Sequence, residues 1–294
     1  MPRISLKPLS NVQRNQLLKN LEKIGFKHLK NDLYNTLLSN LPSNLLSDKE
    51  FLARYLLLAA ILDQQAESNT AKMTILEIYR KSNGDFFFNP RRYISKFDSI
   101  LLVAANLYRP KMRVLRVSKE GIILWRIGGY IITIENIISK YGSLIGYLAG
   151  FKNPRDMFNG LRANPFISGL LYEKATRLYV GWVSHPNLFV DISSNKWSPS
   201  DIPMVINGHV CKVLARTGFL RDVLVEKDTL IVQASNERKR IEREVVTLYP
   251  GGDYFSIDYG YFYIGINYCF EREPNCRECP LRNLCRRNTF VRAY

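Results

Sequence analysis

Four of the five cysteines in the chain, Cys269, Cys276, Cys279 and Cys285, fall within a short C-terminal stretch in the order C-x6-C-x2-C-x5-C. Reduced cores use cysteine singly, as a small apolar filler. Thiols this dense therefore demand a fold that gathers them. A cubane iron–sulfur cluster takes one thiolate per iron from a loop wrapped around it. The x2 spacing lets one tight turn present two sulfurs, and the longer gaps carry the chain round the far side. A four-cysteine zinc site is the intracellular alternative, and a pair of disulfides is the secreted one. Zinc ribbons usually pair two C-x2-C knuckles, and this sequence has one. A [4Fe-4S] cluster on Cys269, Cys276, Cys279 and Cys285 is thus expected ahead of zinc and of disulfides.

The chain carries 42 Lys and Arg against 26 Asp and Glu, a formal charge of +16 over 294 residues. That excess favours a polyanion, either nucleic acid or an anionic membrane surface. No basic amphipathic helix or lipidation signal supports the membrane. The apolar runs Tyr55 to Leu62 and Ile257 to Ile266 are too short to span one. Met1-Pro2-Arg3 leads into no secretory pattern. The expectation is an intracellular protein of the cytoplasm or nucleoid, monomeric, with double-stranded DNA as partner.

Around the cysteines the sequence resembles the endonuclease III and adenine-mismatch group of DNA glycosylases. The cysteine spacing is similar to that group's cluster loop. Ile206-Asn207-Gly208-His209-Val210, followed by Cys211-Lys212-Val213 and Arg216, is similar to its V-D-T-H-V segment and the helix after it. Arg240 to Val246 reads as the expected amphipathic helix, and Tyr259 to Tyr268 as the apolar approach to the first cysteine. The likeness is strong from about residue 156 onward. It implies a mainly α, two-lobed helix-hairpin-helix fold with a C-terminal [4Fe-4S] loop. Residues 1–50 would pack on the C-terminal lobe, and residues 51–184 would form a helical lobe with the hairpin at 166–171. Residues 185–203, rich in Pro and Ser, read as an exposed insertion. Residues 204–294 would carry the cluster loop at 269–285.

Periodicity places helices at Val12 to Ile24 and Asp32 to Leu41, with a stop at Pro42-Ser43 and a new cap at Ser47-Asp48. Phe51 to Tyr79 reads as one long helix, or two joined near Asp63-Gln64-Gln65. Ser82 to Pro90 reads as loop, Ile94 to Tyr108 as helix, and Val114 to Lys140 as mostly helix. Further helices are expected over Pro154 to Leu161 and Leu170 to Val183.

The resemblance assigns the site residues. The family joins its hairpin helices by L-P-G-x-G, whose glycines let the backbone approach a phosphate. Here the turn is Phe166-Ile167-Ser168-Gly169-Leu170-Leu171, keeping one glycine, and the plain alternative is an αα-turn. Ser168, Gly169 and Leu170 are its expected phosphate contacts. The family's catalytic aspartate falls on Asn207, whose amide, native or introduced, supplies neither a negative charge nor a base at neutral pH. The Schiff-base lysine of bifunctional members falls on Glu173, with Lys174 one residue beyond.

Catalysis would then be absent or use a displaced acid, with Asp191 and Asp201 as candidates. Gln64 or Gln65 would plug the stack left by an extruded base, or else polarise a plain helix junction. His209, Lys212, Arg216 and the arginines after the first cluster cysteine (Arg272, Arg277, Arg282, Arg286, Arg287 and Arg292) are candidate DNA contacts. Cys211 reads as a buried thiol, and His28 and His185 receive no role. The expected function is a DNA-binding iron–sulfur protein that engages damaged, mismatched or abasic sites in base-excision repair. The alternatives are an active N-glycosylase, with or without lyase activity, and a redox-sensing nucleic-acid binder.

Overall fold

A computed structural model describes residues 3–64, 66–94, 97–110, 118–194, 196–226, 229–230 and 235–288. The architecture is mainly α. In chain order, β1 (Arg3–Ser5) leads into α1 (Asn11–Leu33), one turn of π-helix (Tyr34–Leu38), α2 (Ser43–Leu46), α3 (Lys49–Asp63) and α4 (Ser68–Ser82). There follow α5 (Asp85–Phe88), α6 (Phe97–Leu107), α7 (Lys119–Tyr141), α8 (Leu144–Ala149), α9 (Pro154–Ala163), α10 (Pro165–Ser168) and α11 (Glu173–Ser184). The chain then forms α12 (Gly208–Thr217), β2 (Asp222–Glu226), β3 (Thr229–Leu230), α13 (Ser235–Leu248) and α14 (Tyr254–Asn267).

The chain divides into two compact units, one of residues 1–32 with 202–294 and the other of residues 33–201. The N-terminal stretch that joins the C-terminal part therefore ends at residue 32. Residues 33–50, expected with it, fall in the second unit.

In the first unit, Leu17, Leu18 and Leu21 of α1 meet Val210, Val213 and Leu214 of α12, Ile241 and Val245 of α13, and Ile257, Tyr261 and Ile264 of α14. Two glycines let α1 and α14 cross at backbone contact. A Cβ on Gly25 would stand 1.7 Å from the Ser256 carbonyl, and one on Gly260 would stand 2.2 Å from that of Leu21. The strands were not anticipated. β1 pairs antiparallel with β2, Arg3 opposite Leu224, and β2 pairs with β3. Arg3 and Arg240 both hold the Glu237 carboxylate, at 3.0 and 2.7 Å, and fasten this edge.

In the second unit α3 is buried on every side from Phe51 to Leu62, which makes it the central helix. Asp48 caps it, accepting from the Phe51 N–H at 2.9 Å. The helix stops at Asp63, so Phe51 to Tyr79 is two helices. Glu50 accepts from the Leu144 and Ile145 N–H groups at the start of α8, and Arg54 donates to the Phe87 and Phe88 carbonyls that end α5. This pair ties two helix ends to α3. Residues 82–90 are not simply loop, since α5 forms inside them after Gly84, whose φ is +80°.

The segment 185–203 is also not an exposed insertion. His185, Leu188, Val190, Asp191, Ser193 and Ile202 are all buried. Among the described residues α7, not the shorter runs singled out from sequence, is long and apolar enough to cross a membrane by length and composition. Half of that apolar window is buried inside the unit, and the buried face includes Arg126, Tyr130 and Thr133. That is the pattern of a core helix.

Candidate metal centre and nucleic-acid interface

The cysteine loop leaves the end of α14 and returns to the end of α12. The Cys269 N–H donates to the Ile264 carbonyl at 2.8 Å, and the Asn275 N–H to the Tyr268 carbonyl at 2.8 Å. On the return, the Arg286 and Asn288 N–H groups donate to the carbonyls of Thr217 and Arg216 at 3.1 and 3.0 Å. Leu281, fully buried, anchors the middle of the loop in the core. This closure leaves a cavity of about 220 Å³ whose wall includes Cys269, Cys276, Cys279 and Cys285 together with Arg216 and Tyr268.

All five cysteines are free thiols. Burial pushes Cys279 up to about 11, against an opposing Leu281 N–H, and the other three thiols raise it further. Burial likewise raises Cys285. Burial disfavours the thiolate forms of Cys279 and Cys285, and positive charge entering the cavity would favour them. Among the described residues no three His, Cys, Asp or Glu side chains are gathered closely enough to hold one metal ion. The four thiols line the wall of one cavity. Four thiolates suit either a tetrahedral zinc or a cubane cluster that takes one per iron.

Lys212 and Arg216 are not surface contacts. Every residue of α12 from Val210 to Thr217 is buried, so its two cations are placed inside. The Lys212 ammonium, 2% exposed, donates to the Gly265 carbonyl at 3.1 Å. The Arg216 guanidinium, 5% exposed, donates to the carbonyls of Phe270 and Glu271, the latter at 2.6 Å, and reaches the Cys269 Sγ at 3.5 Å. The sequence carried a signal for this, because Lys212 sits inside the nearly apolar run Val210 to Ala215.

Arg272, Arg277, Arg282, Arg286 and Arg287, by contrast, are exposed around the loop. Arg286 also donates to the Gln13 side chain at 3.1 Å. Arg292 lies outside the described residues.

Asn207 caps α12, its Oδ1 accepting from the N–H groups of His209 at 2.8 Å and Val210 at 3.1 Å. The His209 ring packs edge-on against Phe262, with centroids 5.7 Å apart. It is therefore half-buried against α14. The Cys211 thiol is buried, which raises its pKa well above the usual thiol range.

The other candidates lie in the second unit. α9 and α11 pack on each other and form a helical hairpin through α10. Its turn is not a glycine turn. Gly169 has ordinary helical angles, φ −77° and ψ −24°, and a Cβ there would meet nothing within 4 Å. Leu171, standing where the family has its second glycine, is fully buried. Gln64 is committed to this turn. Its Nε2 donates to the Leu170 carbonyl at 2.6 Å, and its Oε1 accepts from the Tyr172 N–H at 2.7 Å. It is a clamp inside the unit rather than a side chain held ready to fill a base stack. Gln65 lies outside the described residues.

Ser168 is half-buried, and Lys174 is exposed. Glu173 is paired with Arg177 at 3.1 Å. Asp191 is buried with φ +36°, accepting from the Ser193 hydroxyl at 3.2 Å, while its backbone carbonyl accepts from Lys49 at 2.9 Å. Asp201 is half-buried at the end of a short 3-10 turn. His185 is buried, its Nδ1 accepting from the Asn187 N–H at 3.2 Å.

No family model matches the chain, and no curated protein matches it.

Proposed function

We propose that this chain is an iron–sulfur, helix-hairpin-helix DNA-binding protein of the glycosylase type, which engages lesion, mismatch or abasic sites without excising the base. The observation that carries the reading is the single cavity walled by Cys269, Cys276, Cys279 and Cys285 and ringed by exposed arginines. Cys269, Cys276, Cys279 and Cys285 would hold the cluster, which would cross-link the loop, while Leu281 excludes water from beneath it and Arg272, Arg277, Arg282, Arg286 and Arg287 would supply phosphate contacts.

Binding without excision rests on Asn207. Its amide oxygen is occupied by two backbone N–H groups, and an amide supplies no negative charge to a developing sugar cation. Asp191 is a poor substitute, being buried and accepting from the Ser193 hydroxyl.

The test is binding to duplexes with and without an abasic-site analogue, with strand cleavage after alkali scored on damaged and mismatched duplexes. Preference for the analogue with no cleavage is expected. If four of the five arginines meet phosphates, affinity should fall about a hundredfold between roughly 50 and 200 mM salt. Base loss in the native chain, abolished by Asp191→Asn or Asp201→Asn, would contradict the reading. Asn207→Asp keeps the cap and restores a carboxylate, so any excision gained by that variant alone locates the loss at this residue.

A further inference from the structure

The first helix turns a row of lysines to solvent. In α1, Lys19, Lys23 and Lys27 recur every fourth residue and are exposed. At about 100° per residue they share an arc of roughly 80° on one face. Among the described residues none of the three has an ion-pair or hydrogen-bond partner. The two acids of α1 are engaged elsewhere. Glu22 accepts from the Tyr249 hydroxyl and the Asp253 N–H, and Asp32 from the Tyr259 hydroxyl, each at 2.7 Å. The arc therefore carries positive charge alone.

This row meets the cysteine loop within the first unit. Ser10 and Gln13 cap the start of α1 reciprocally. The Ser10 N–H donates to the Gln13 Oε1 at 3.1 Å, and the Gln13 N–H to the Ser10 Oγ at 3.3 Å. The same Oε1 accepts from Arg286 at 3.1 Å. Gln13 lies about 40° from the edge of the lysine arc, with Lys19 about 9 Å and Lys27 about 21 Å further along the axis. Arg286 thus stands at the head of the row.

α1 is basic and amphipathic, contrary to the expectation from sequence. It does not suit a lipid surface, because Leu17, Leu18 and Leu21 spend its apolar side in the core. Its large exposed apolar side chains, Val12 and Phe26, stand about 21 Å apart along the axis, too sparse for a lipid-facing stripe.

We infer that Lys19, Lys23 and Lys27 form a second phosphate-contact row for duplex DNA, which extends the surface of the loop arginines along α1. The duplex as partner rests on the reading above. Lysines suit the role as mobile point charges that grip phosphate without reading base sequence. Each phosphate contact adds about 3.5-fold to the affinity lost between roughly 50 and 200 mM salt, so three add about fortyfold to the loss from the loop arginines.

The test titrates the full-length chain with a duplex carrying an abasic-site analogue at both salt concentrations. In a combined Lys19→Gln, Lys23→Gln and Lys27→Gln variant, the affinity lost over that interval should be about fortyfold smaller than in the native chain. Arg at the same three positions keeps charge and helix propensity, and should keep the native salt dependence. Lys81→Gln, Lys140→Gln and Lys152→Gln together remove equal charge from exposed positions of the second unit, and should also keep it. Native salt dependence in the α1 Gln variant would overturn the inference while leaving the arginine surface standing. Equal flattening in the second-unit variant would point to net charge rather than a row, and would overturn it too. If the native chain binds no duplex, the DNA reading fails first and the inference falls with it. Capture by phosphatidylserine vesicles that is lost in the α1 Gln variant, with duplex affinity unchanged, would assign the row to a membrane surface and overturn it.

Discussion

The cysteine loop of the first unit and the hairpin turn of the second have their backbones committed in opposite ways. The loop leaves its functional groups open. Its backbone closes onto the ends of α12 and α14 while four thiols face one cavity. The turn has its groups already spent. Gln64 occupies the Leu170 carbonyl and the Tyr172 N–H, Arg162 donates to the Leu171 carbonyl at 2.8 Å, and Leu171 fills the core. A motif's function depends on which of its polar groups the fold leaves unused. By that criterion the loop's thiols are open to a ligand, and the turn is chiefly structural.

The largest effect should come from breaking the loop. Cys279→Ser removes one of four ligands, and bound iron should fall to background while the loop becomes sensitive to protease. Cys211→Ser, altering the thiol buried in α12, should leave iron content unchanged. Iron loss in that variant would mean that the ligand set is wrong.

An intermediate effect is expected at the clamp. Gln64→Ala removes two hydrogen bonds to the turn, one exposed and one part-buried, and should cost the second unit about 1–2 kcal/mol by urea unfolding. A variant of native stability that has lost only its preference for abasic DNA would restore Gln64 as a base-stack plug. The smallest effect should be at Gly169. Its angles suit any residue and the space beside it is open, so Gly169→Ala should stabilise the unit by about 0.4–1 kcal/mol. If the turn approaches a phosphate closely, the same variant would be stable yet bind DNA more weakly, and the contrast between the two regions would narrow.

Much of the helical layout was legible because local signals agreed. Asp48 is a cap, Pro154 opens α9 after Asn153, and the polar break after Asp63 separates α3 from α4. What escaped the sequence was burial and pairing at long range. The 185–203 segment is rich in Pro, Ser and Asn, and a few apolar anchors such as Leu188, Val190 and Ile202 suffice to bury it. β1 meets β2 across most of the chain, and strands of two to five residues leave little periodicity to read. At the site, the spacing of the four cysteines anticipated that they share one cavity, because a short loop brings them together locally. The sequence misassigned Lys212 and Arg216, since a cation in a sequence looks the same whether it faces phosphate or lies under a thiolate loop. For Gln64 the sequence left a base-stack plug and a polar helix junction open, and the structure places it at the junction, with partners more than a hundred residues away.

A cubane cluster in the four-cysteine cavity is tested most directly by the inorganic content of the purified protein. Iron, acid-labile sulfide and zinc should be quantified in protein purified without oxygen, alongside its visible spectrum. The account predicts brown protein with about four iron and four sulfide per chain and broad visible absorbance. Colourless protein with stoichiometric zinc and no sulfide would contradict it.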